Sequence, residues 1–572
     1  MSLVAGILSL QGDPIDPSWI ATIRSHLSRR EPPHHEYEDD RFYLAKVDIG
    51  TFPGSGFFSQ PVVAAITGET YYAADIDRRA DRDVDLRKLA ALPAGDASGL
   101  QDCRGSFSYV RYDPDDVDLL VAVDRLGMRA VYFHESPQHL FFSSSLRLFK
   151  ELSGVPKRLD LRALAEQSTF GIPLADRTPY AGVRNLKGGE FLRARGGRVE
   201  VGSYVRWGDI PATRLTREEF QKEAFRLFQE AVAIRSAGDP SPVSFLTGGL
   251  DSRAVVGALV SLGKKPFTLN FEYPDLLDGE IAPRLARELG TRHRSWPVSE
   301  WRKVSYLTNS VPALLRYAPP NLPARPRAVF SGDGGSVGLG FVYMDEHIVD
   351  LMRAGRLDEL ARYYLEKKRL PRRILRPEVY DALRPLPEQG LREELARAGG
   401  REPAKDFHLF LMGNDQRRHV HYMFEDLDLN RVEFLLPFYD GKWLELIGSA
   451  PVDWFLLHRF YNDWIRHFPE PVYTIPWQSY PGHVPCPLPQ PHSMTQWDLP
   501  RLKSFEVSEE AFQGASKSLF GSGFPSPVFR RIPLLAGLLL HGLRLRNLSH
   551  FWATYDTFSR YYGESGDKLV WP

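Results

Sequence analysis

A chain of 572 residues is too long for one compact core, so two or three domains are expected. Its 43% hydrophobic and 25% charged residues are ordinary for a globular protein. Lys plus Arg and Asp plus Glu are 72 each, so no global field favours nucleic acid or an acidic membrane, which leaves only local patches. The two cysteines, Cys103 and Cys486, have no neighbouring ligand spacing, which excludes a disulfide scaffold or a Cys-rich zinc site and fits a reducing interior. The apolar start, Met1 to Leu8, has no basic n-region and does not read as a signal peptide. The most lipid-like segment, Ile532 to Leu543, carries Pro533, Gly537 and His541 and is too short to span a bilayer. A soluble cytoplasmic protein with no membrane span is expected, and a homodimer is compatible with these numbers.

The first two hundred residues read as short strands with turns. Val62 to Ile66, Leu119 to Val123 and Ala130 to Phe133 are apolar, β-branched or aromatic runs, and Asp113-Pro114-Asp115-Asp116 and Lys187-Gly188-Gly189 punctuate them. Near residue 215 the pattern changes. Thr216-Arg217-Glu218-Glu219 is a capping-box signature, followed by Phe220, Ala224, Leu227, Phe228 and Ala231 at helical spacing. Then come a strand over Val243 to Thr247, a helix over Ser252 to Leu262, a strand over Phe267 to Phe271 and a helix over Ile281 to Leu289. Strands alternating with helices at this spacing predict a parallel sheet with helices on its faces. Beyond residue 345 the chain reads as mainly helical, with a Pro-rich crossing from Pro469 to Pro500. The expected domains are 1–208, 209–490 and a helical tail, 491–572, packed on the second domain.

Leu246-Thr247-Gly248-Gly249-Leu250-Asp251-Ser252 lies between a buried strand and a helix start, where exposed N–H groups and the helix end favour an anion. The two glycines let the backbone approach phosphate, and the hydroxyls of Thr247 and Ser252 can donate to it. A carboxylate in such a place repels phosphate unless a cation intervenes, so Asp251 points to Mg²⁺. The Gly-Lys-Ser/Thr ending of a Walker loop is absent. The plain alternative is a strand-to-helix turn capped by Asp251 or Ser252; a place at the carboxyl end of a parallel strand favours ligand binding.

This loop resembles the Ser-Gly-Gly-Leu-Asp-Ser pyrophosphate loop of the ATP pyrophosphatase superfamily, with Thr247 in first place. Asp278-Gly279-Glu280 with Leu289-Gly290-Thr291-Arg292-His293, Phe330-Ser331-Gly332-Asp333-Gly334-Gly335 and Val432-Glu433 to Pro437-Phe438-Tyr439-Asp440 resemble the later motifs of asparagine synthetases, in the same order. Leu435 stands where the last of these has Arg. In the amino-terminal half, Gly68-Glu69-Thr70-Tyr71, Gly105-Ser106-Phe107, Asp124-Arg125-Leu126-Gly127, Phe142 to Ser145 and Leu186 to Gly189 resemble that family's glutaminase domain. The resemblance covers roughly residues 1–490. It implies a two-domain α/β protein: an N-terminal-nucleophile hydrolase-like αββα sandwich, then a doubly wound parallel sheet of the adenine nucleotide α-hydrolase type with added helices.

The resemblance also implies site roles. Thr247, Gly248, Gly249, Asp251 and Ser252 would hold pyrophosphate, with Asp251 on Mg²⁺; Phe245, Leu269, Ser331 and Gly332 match adenosine contacts. Asp333 replaces a Glu near the acyl group and, with Glu433, would remove a proton from an attacking amine. Ser336 takes the place of a second metal-binding Asp. No Lys occurs between Lys442 and Lys503 where the family has one, and His483 is the nearest residue able to carry its charge. The family's amino-terminal Cys is replaced by Ser2 and an Asn by Thr67, so the glutaminase is expected to be inactive. ATP and Mg²⁺ are the expected cofactors. With no ammonia supply the amine is expected to belong to the substrate, as in lasso peptide macrolactam synthetases. The partners are then a peptide or small-molecule carboxylate, or a precursor peptide with its processing protease. An ammonia- or glutamine-dependent asparagine synthetase, a β-lactam synthetase and a nucleotide-binding pseudoenzyme are the alternatives.

Overall fold

The computed structural model describes residues 2–27, 35–72, 80–272, 277–297, 328–366, 368–400, 402–417, 424, 432–489, 519–521, 523–543, 545–565 and 569–571. Met1, His34, His492 and most of the tail before residue 519 lie outside the described residues.

β1 (Ser2–Ser9) is buried along its whole length because both its faces are covered. Leu3, Ala5 and Ile7 face α1 (Pro17–Leu27), while Val4 and Leu8 face a second sheet. β1 pairs antiparallel with β3 (Phe42–Asp48), which in turn pairs with β2 (His35–Glu38). The second sheet begins with β4 (Phe57–Phe58) and β5 (Val63–Gly68), followed by α2 (Arg82–Ala90), β6 (Phe107–Asp113) and β7 (Asp118–Val123). Then come β8 (Tyr132–Glu135), β9 (His139–Ser143), α3 (Leu146–Glu151), β10 (Leu159–Asp160), α4 (Leu161–Phe170), β11 (Val183–Asn185), β12 (Glu190–Arg195) and β13 (Arg198–Ser203). The two six-stranded sheets have the orders β11-β8-β9-β1-β3-β2 and β13-β12-β7-β6-β5-β4.

Between the sheets lies an apolar core of Val4, Phe42, Leu44, Val110, Val121 and Phe142. Helices α1 and α3 cover the outer face of the first sheet, and α2 packs Leu86 and Leu89 on the outer face of the second. The result is the expected αββα sandwich.

The chain crosses to the second half after β13. α5 (Arg217–Ser236) begins on the expected capping box of Thr216 and Glu219. β14 (Val243–Phe245), α6 (Leu250–Ser261), β15 (Phe267–Glu272), α7 (Asp278–Glu288), β16 (Arg292–Pro297), β17 (Ala328–Phe330), the short α8 (Gly335–Gly338) and β18 (Glu433–Leu435) follow. The five strands are parallel, in the order β16-β15-β14-β17-β18. The strand order reverses between β14 and β17, and the crevice beyond the carboxyl ends there is where such sheets bind ligands. Short helices dominate from residue 346 to 474, among them α9 (Arg459–Trp464).

The halves meet through buried ion pairs. Arg104 of the first half binds Asp440 at 3.0 Å and also the partly exposed Glu230, and Arg129 binds Glu433, while within the second half Arg235 binds the same Asp440 at 2.9 Å. The described tail holds α10 (Arg531–Gly542), α11 (Ser549–Ser565) and β19 (Leu569–Val570). β19 pairs in parallel with β10, and the Arg530 N–H donates to the Ile374 carbonyl at 2.8 Å. The described part of the tail therefore touches both halves.

Candidate functional site

The loop 247–252 leaves β14 at its carboxyl end and runs into the first turn of α6. It is knitted together from within. The Ser252 hydroxyl accepts from the Thr247 N–H at 2.9 Å and lies 2.9 Å from the Thr247 hydroxyl, which accepts from the Gly249 N–H at 3.3 Å. Below the loop, Arg253 is fully buried and donates to five carbonyls: Gly249 and Gly248 in the loop, and Val472, Ile475 and Pro476 in a distant segment. Burial lowers its pKa to about 10, so it stays charged at neutral pH. Among the described residues it is the one basic side chain hydrogen-bonded to this loop. Gln478 closes the same contact by donating its N–H to the Gly248 carbonyl at 3.1 Å.

Gly248 shows why the loop needs glycine. A Cβ there would stand 3.0 Å from Asp278 Oδ1 and 3.1 Å from the Gln478 side chain. Its N–H donates to Asp278 Oδ1 at 2.6 Å. A carboxylate thus takes the donor that a phosphate oxygen would use, and burial pushes that carboxyl's pKa up. Sequence reasoning read Asp278 only as part of a motif; an acid opening the helix after the second strand was its one visible signal.

Asp251 accepts from the Ser336 N–H at 3.1 Å, the Ser336 hydroxyl at 2.5 Å and the Tyr461 hydroxyl at 2.7 Å. Burial raises its pKa to about 6; the bonds from Ser336 and Tyr461 oppose the rise and the charge of Asp333 adds to it. The segment 332–335 presses on the loop without side chains in the way. A Cβ on Gly332 would stand 2.6 Å from the Ser252 nitrogen, and one on Gly335 2.5 Å from Asp251 Oδ1. Asp333 accepts from the Ser331 hydroxyl at 2.6 Å.

Among the described residues no group of three or more His, Cys, Asp or Glu side chains could hold a metal, so a divalent cation at Asp251 would depend on phosphates and water for most of its shell. A carboxylate has about four acceptor positions and Asp251 has three donors. Asp333 lies close, and neither acid has a basic hydrogen-bond partner among the described residues. Mg²⁺ commonly takes one or two carboxylates, with phosphates and water completing its shell.

Phe245 ends β14, Ser331 follows the end of β17, and Leu269 lies within β15. Phe245 is level with Leu269, and Ser331 follows directly on Phe330, which pairs with Ser244. Leu269 is fully buried and Phe245 and Ser331 nearly so.

Two expected catalytic residues are placed differently. Glu433 opens β18 in register with Ala328, the first residue of β17, whereas Asp333 follows the far end of β17. The register separates them along the sheet, and Glu433 is spent on Arg129 across the domain boundary. Burial pushes its carboxyl up, but Arg129 leads the charges that bring its pKa below the ordinary value. A joint proton relay of Glu433 with Asp333 is therefore corrected.

His483 meets His458, Nδ1 to Nδ1, at 2.8 Å. The His458 ring stacks parallel to Tyr461, which reaches Asp251. Two side chains thus stand between His483 and Asp251, and burial lowers the pKa of both imidazoles, that of His458 to about 3. A charged stand-in for the missing Lys is not what this pair offers. Tyr461 and His458 escaped the sequence because they arrive from α9 and the residue just before it, some two hundred residues along the chain, with no motif around them.

In the first half, Ser2 is buried and its hydroxyl accepts from the Gly68 N–H at 2.8 Å. The Thr67 hydroxyl is paired with that of Ser108 at 2.6 Å. Glu69 has no room for charge: burial raises its pKa to about 8, although Arg235 and Arg82 oppose the rise.

Residues 74–205 match the family described as glutamine amidotransferase domain, and residues 223–315 match asparagine synthase. A putative glutamine-hydrolysing asparagine synthetase of Mycobacterium bovis is 25% identical over 209 residues, 35% of this chain and 32% of that protein. Asparagine synthetase 3 of Bacillus subtilis is 24% identical over 238 residues, 37% of this chain and 38% of that protein. Amidase chry2 of Gibberella zeae is 29% identical over 173 residues, 30% and 25% of the two chains. The chain thus spans about a third of the length of these curated relatives.

Proposed function

We propose that this chain, which belongs to the asparagine synthetase family, is an ATP-dependent amide ligase. Its carboxylate substrate attacks the α-phosphate of ATP, pyrophosphate leaves, and an amine displaces AMP from the acyl-adenylate to give the amide. The observation that carries this reading is the loop 247–252 at the exit of β14, with Asp251 and Asp333 beside it at the point where strand order reverses. The N–H groups of the loop and the hydroxyls of Thr247 and Ser252 would bind pyrophosphate once Asp278 yields the Gly248 N–H. Phe245, Leu269, Ser331 and Gly332 would border the adenosine. Mg²⁺ held by Asp251 would supply charge neutralisation on the phosphates. Arg253 adds a fixed positive charge below the loop without touching its open side. Asp333 is the candidate to take the proton of the attacking amine.

The amine is proposed to belong to the substrate itself, so that the product is a lactam, most simply of a precursor peptide. What supports this is the first half: Ser2 in place of a thiol with its hydroxyl engaged by Gly68, and Thr67 tied to Ser108. A glutamine-dependent asparagine synthetase is the second reading, favoured by the amidotransferase match over residues 74–205.

ATP–pyrophosphate exchange tests the ligase. Asp251→Asn should lower exchange about a hundredfold in a folded protein; unchanged exchange sinks the role of Asp251. Glutamate release from glutamine, lost in Ser2→Ala, would establish the second reading over the first.

A further inference from the structure

α10 is apolar on all sides, yet among the described residues only one side of it is covered. Leu534, Gly537, Leu538 and His541 are buried, with Gly537 against Phe551 of α11. At 100° per residue Ile532, Ala536, Leu539 and Leu543 fall within about 60° on the opposite face. They are open to solvent: Ile532 is 80% exposed, Leu539 66% and Leu543 67%, and Leu545 beyond the helix is 70% exposed. A helix that is apolar all round is ordinarily covered on every face, and a contiguous exposed stripe of this kind marks an interaction surface.

The surrounding charge says what kind. From Ala511 to Tyr555 the chain holds five basic residues, Lys517, Arg530, Arg531, Arg544 and Arg546, and no Asp or Glu. This is a local excess in a chain whose overall charge is zero. Arg530, Arg531 and Arg546 are exposed at the two ends of the stripe. A second copy of the chain placed on this face would bring those cations against their own kind. An anionic bilayer gives the leucines an apolar phase and the arginines a partner. Twelve residues are too few to cross a bilayer, and no helix among the described residues is long and apolar enough to do so.

We propose that α10 is a membrane-surface docking helix. It lies flat on an anionic lipid leaflet with Ile532, Leu539 and Leu543 inserted and Arg530, Arg531 and Arg546 at the phosphates. The enzyme's product or substrate would then be handled at the membrane surface, whatever the amine it uses.

Flotation of the full chain with phosphatidylglycerol-containing vesicles, against vesicles of phosphatidylcholine alone, tests it. Binding to the anionic vesicles only, weakened by salt, is expected. Leu539→Glu combined with Leu543→Glu should abolish it, and since both side chains are exposed the thermal unfolding should hardly move. Arg530→Gln with Arg531→Gln should weaken binding about twenty-fivefold, at roughly fivefold for each charge. Absence of anionic binding, equal binding to neutral vesicles, or wild-type binding by both variants would overturn the proposal. So would a dimer in sedimentation that the leucine variant dissolves, since a second copy would then be what covers the face.

Discussion

Arg253→Met tests whether one buried charge holds the nucleotide loop to the rest of the second domain. The guanidinium makes five hydrogen bonds of 2.8–3.3 Å to carbonyls and has no acid among the partners given to it. At about 1.5 kcal/mol for each charge-assisted bond these sum to about 7 kcal/mol. Burial opposes this: a pKa drawn from 12.5 to about 10 corresponds to about 3 kcal/mol against the charged form. The difference, about 4 kcal/mol, is the expected loss in Arg253→Met, which keeps the length of the side chain and removes all five donors. Arg253→Lys keeps the charge with at most three donors and, losing two bonds at the same rate, should lose about 3 kcal/mol. Urea unfolding followed by tryptophan fluorescence measures the loss. Because two of the carbonyls belong to Gly248 and Gly249, the KM for ATP in exchange should rise severalfold at low urea as well. A variant within about 0.5 kcal/mol of wild type, with unchanged KM, would refute the idea that Arg253 staples the loop.

Three further outcomes follow from the same geometry. Asp278→Asn removes a charge from the cradle while leaving an acceptor for the Gly248 N–H, so pyrophosphate and ATP should bind about fivefold tighter by calorimetry; weaker binding would show that Asp278 helps to form the cradle rather than to fill it. Ser336→Asp places a second carboxylate on Asp251, and the melting temperature should come to depend on Mg²⁺ far more steeply than in wild type; a flat response would deny the cation site. Glu69 holds its proton in the folded state up to about pH 8 but in the unfolded state only to about pH 4.5, so the folded protein binds more protons between these values. Stability therefore falls as pH rises across that window, and Glu69→Gln should gain up to roughly 4 kcal/mol over wild type at pH 8 and little at pH 4, measured by urea unfolding; parallel pH profiles would reject the assignment.

Much of this protein is determined locally, and that part was legible in the sequence. The capping box at Thr216 and Glu219 starts α5 because the two residues satisfy each other's backbone N–H groups without help from elsewhere. Val243 to Phe245, Phe267 to Glu272 and the helices after them follow from apolar runs and glycine stops, and their alternation implies a parallel sheet. The loop from Thr247 to Ser252 is likewise a local object, with its own hydroxyls bonding its own N–H groups.

What surrounds that loop was decided by tertiary structure. Asp278, Ser336 and Tyr461 converge on it from positions 30, 85 and 210 residues away, and nothing in a one-dimensional pattern gives the distance between such groups. Glu433 looked like a partner of Asp333 because both lie in neighbouring motifs, but a three-residue strand in parallel register sends them to opposite ends. His483 looked like the nearest available cation, yet burial beside His458 disfavours the charge that the role required. The exposed stripe of α10 is of the same kind. Its leucines read from sequence as a lipid-like run too short to span, and only the packing of α11 on one face reveals that the other is left to the surroundings. Hydrogen bonding within a turn is set by neighbours in the chain; burial, charge state and the meeting of distant side chains are set by the whole fold.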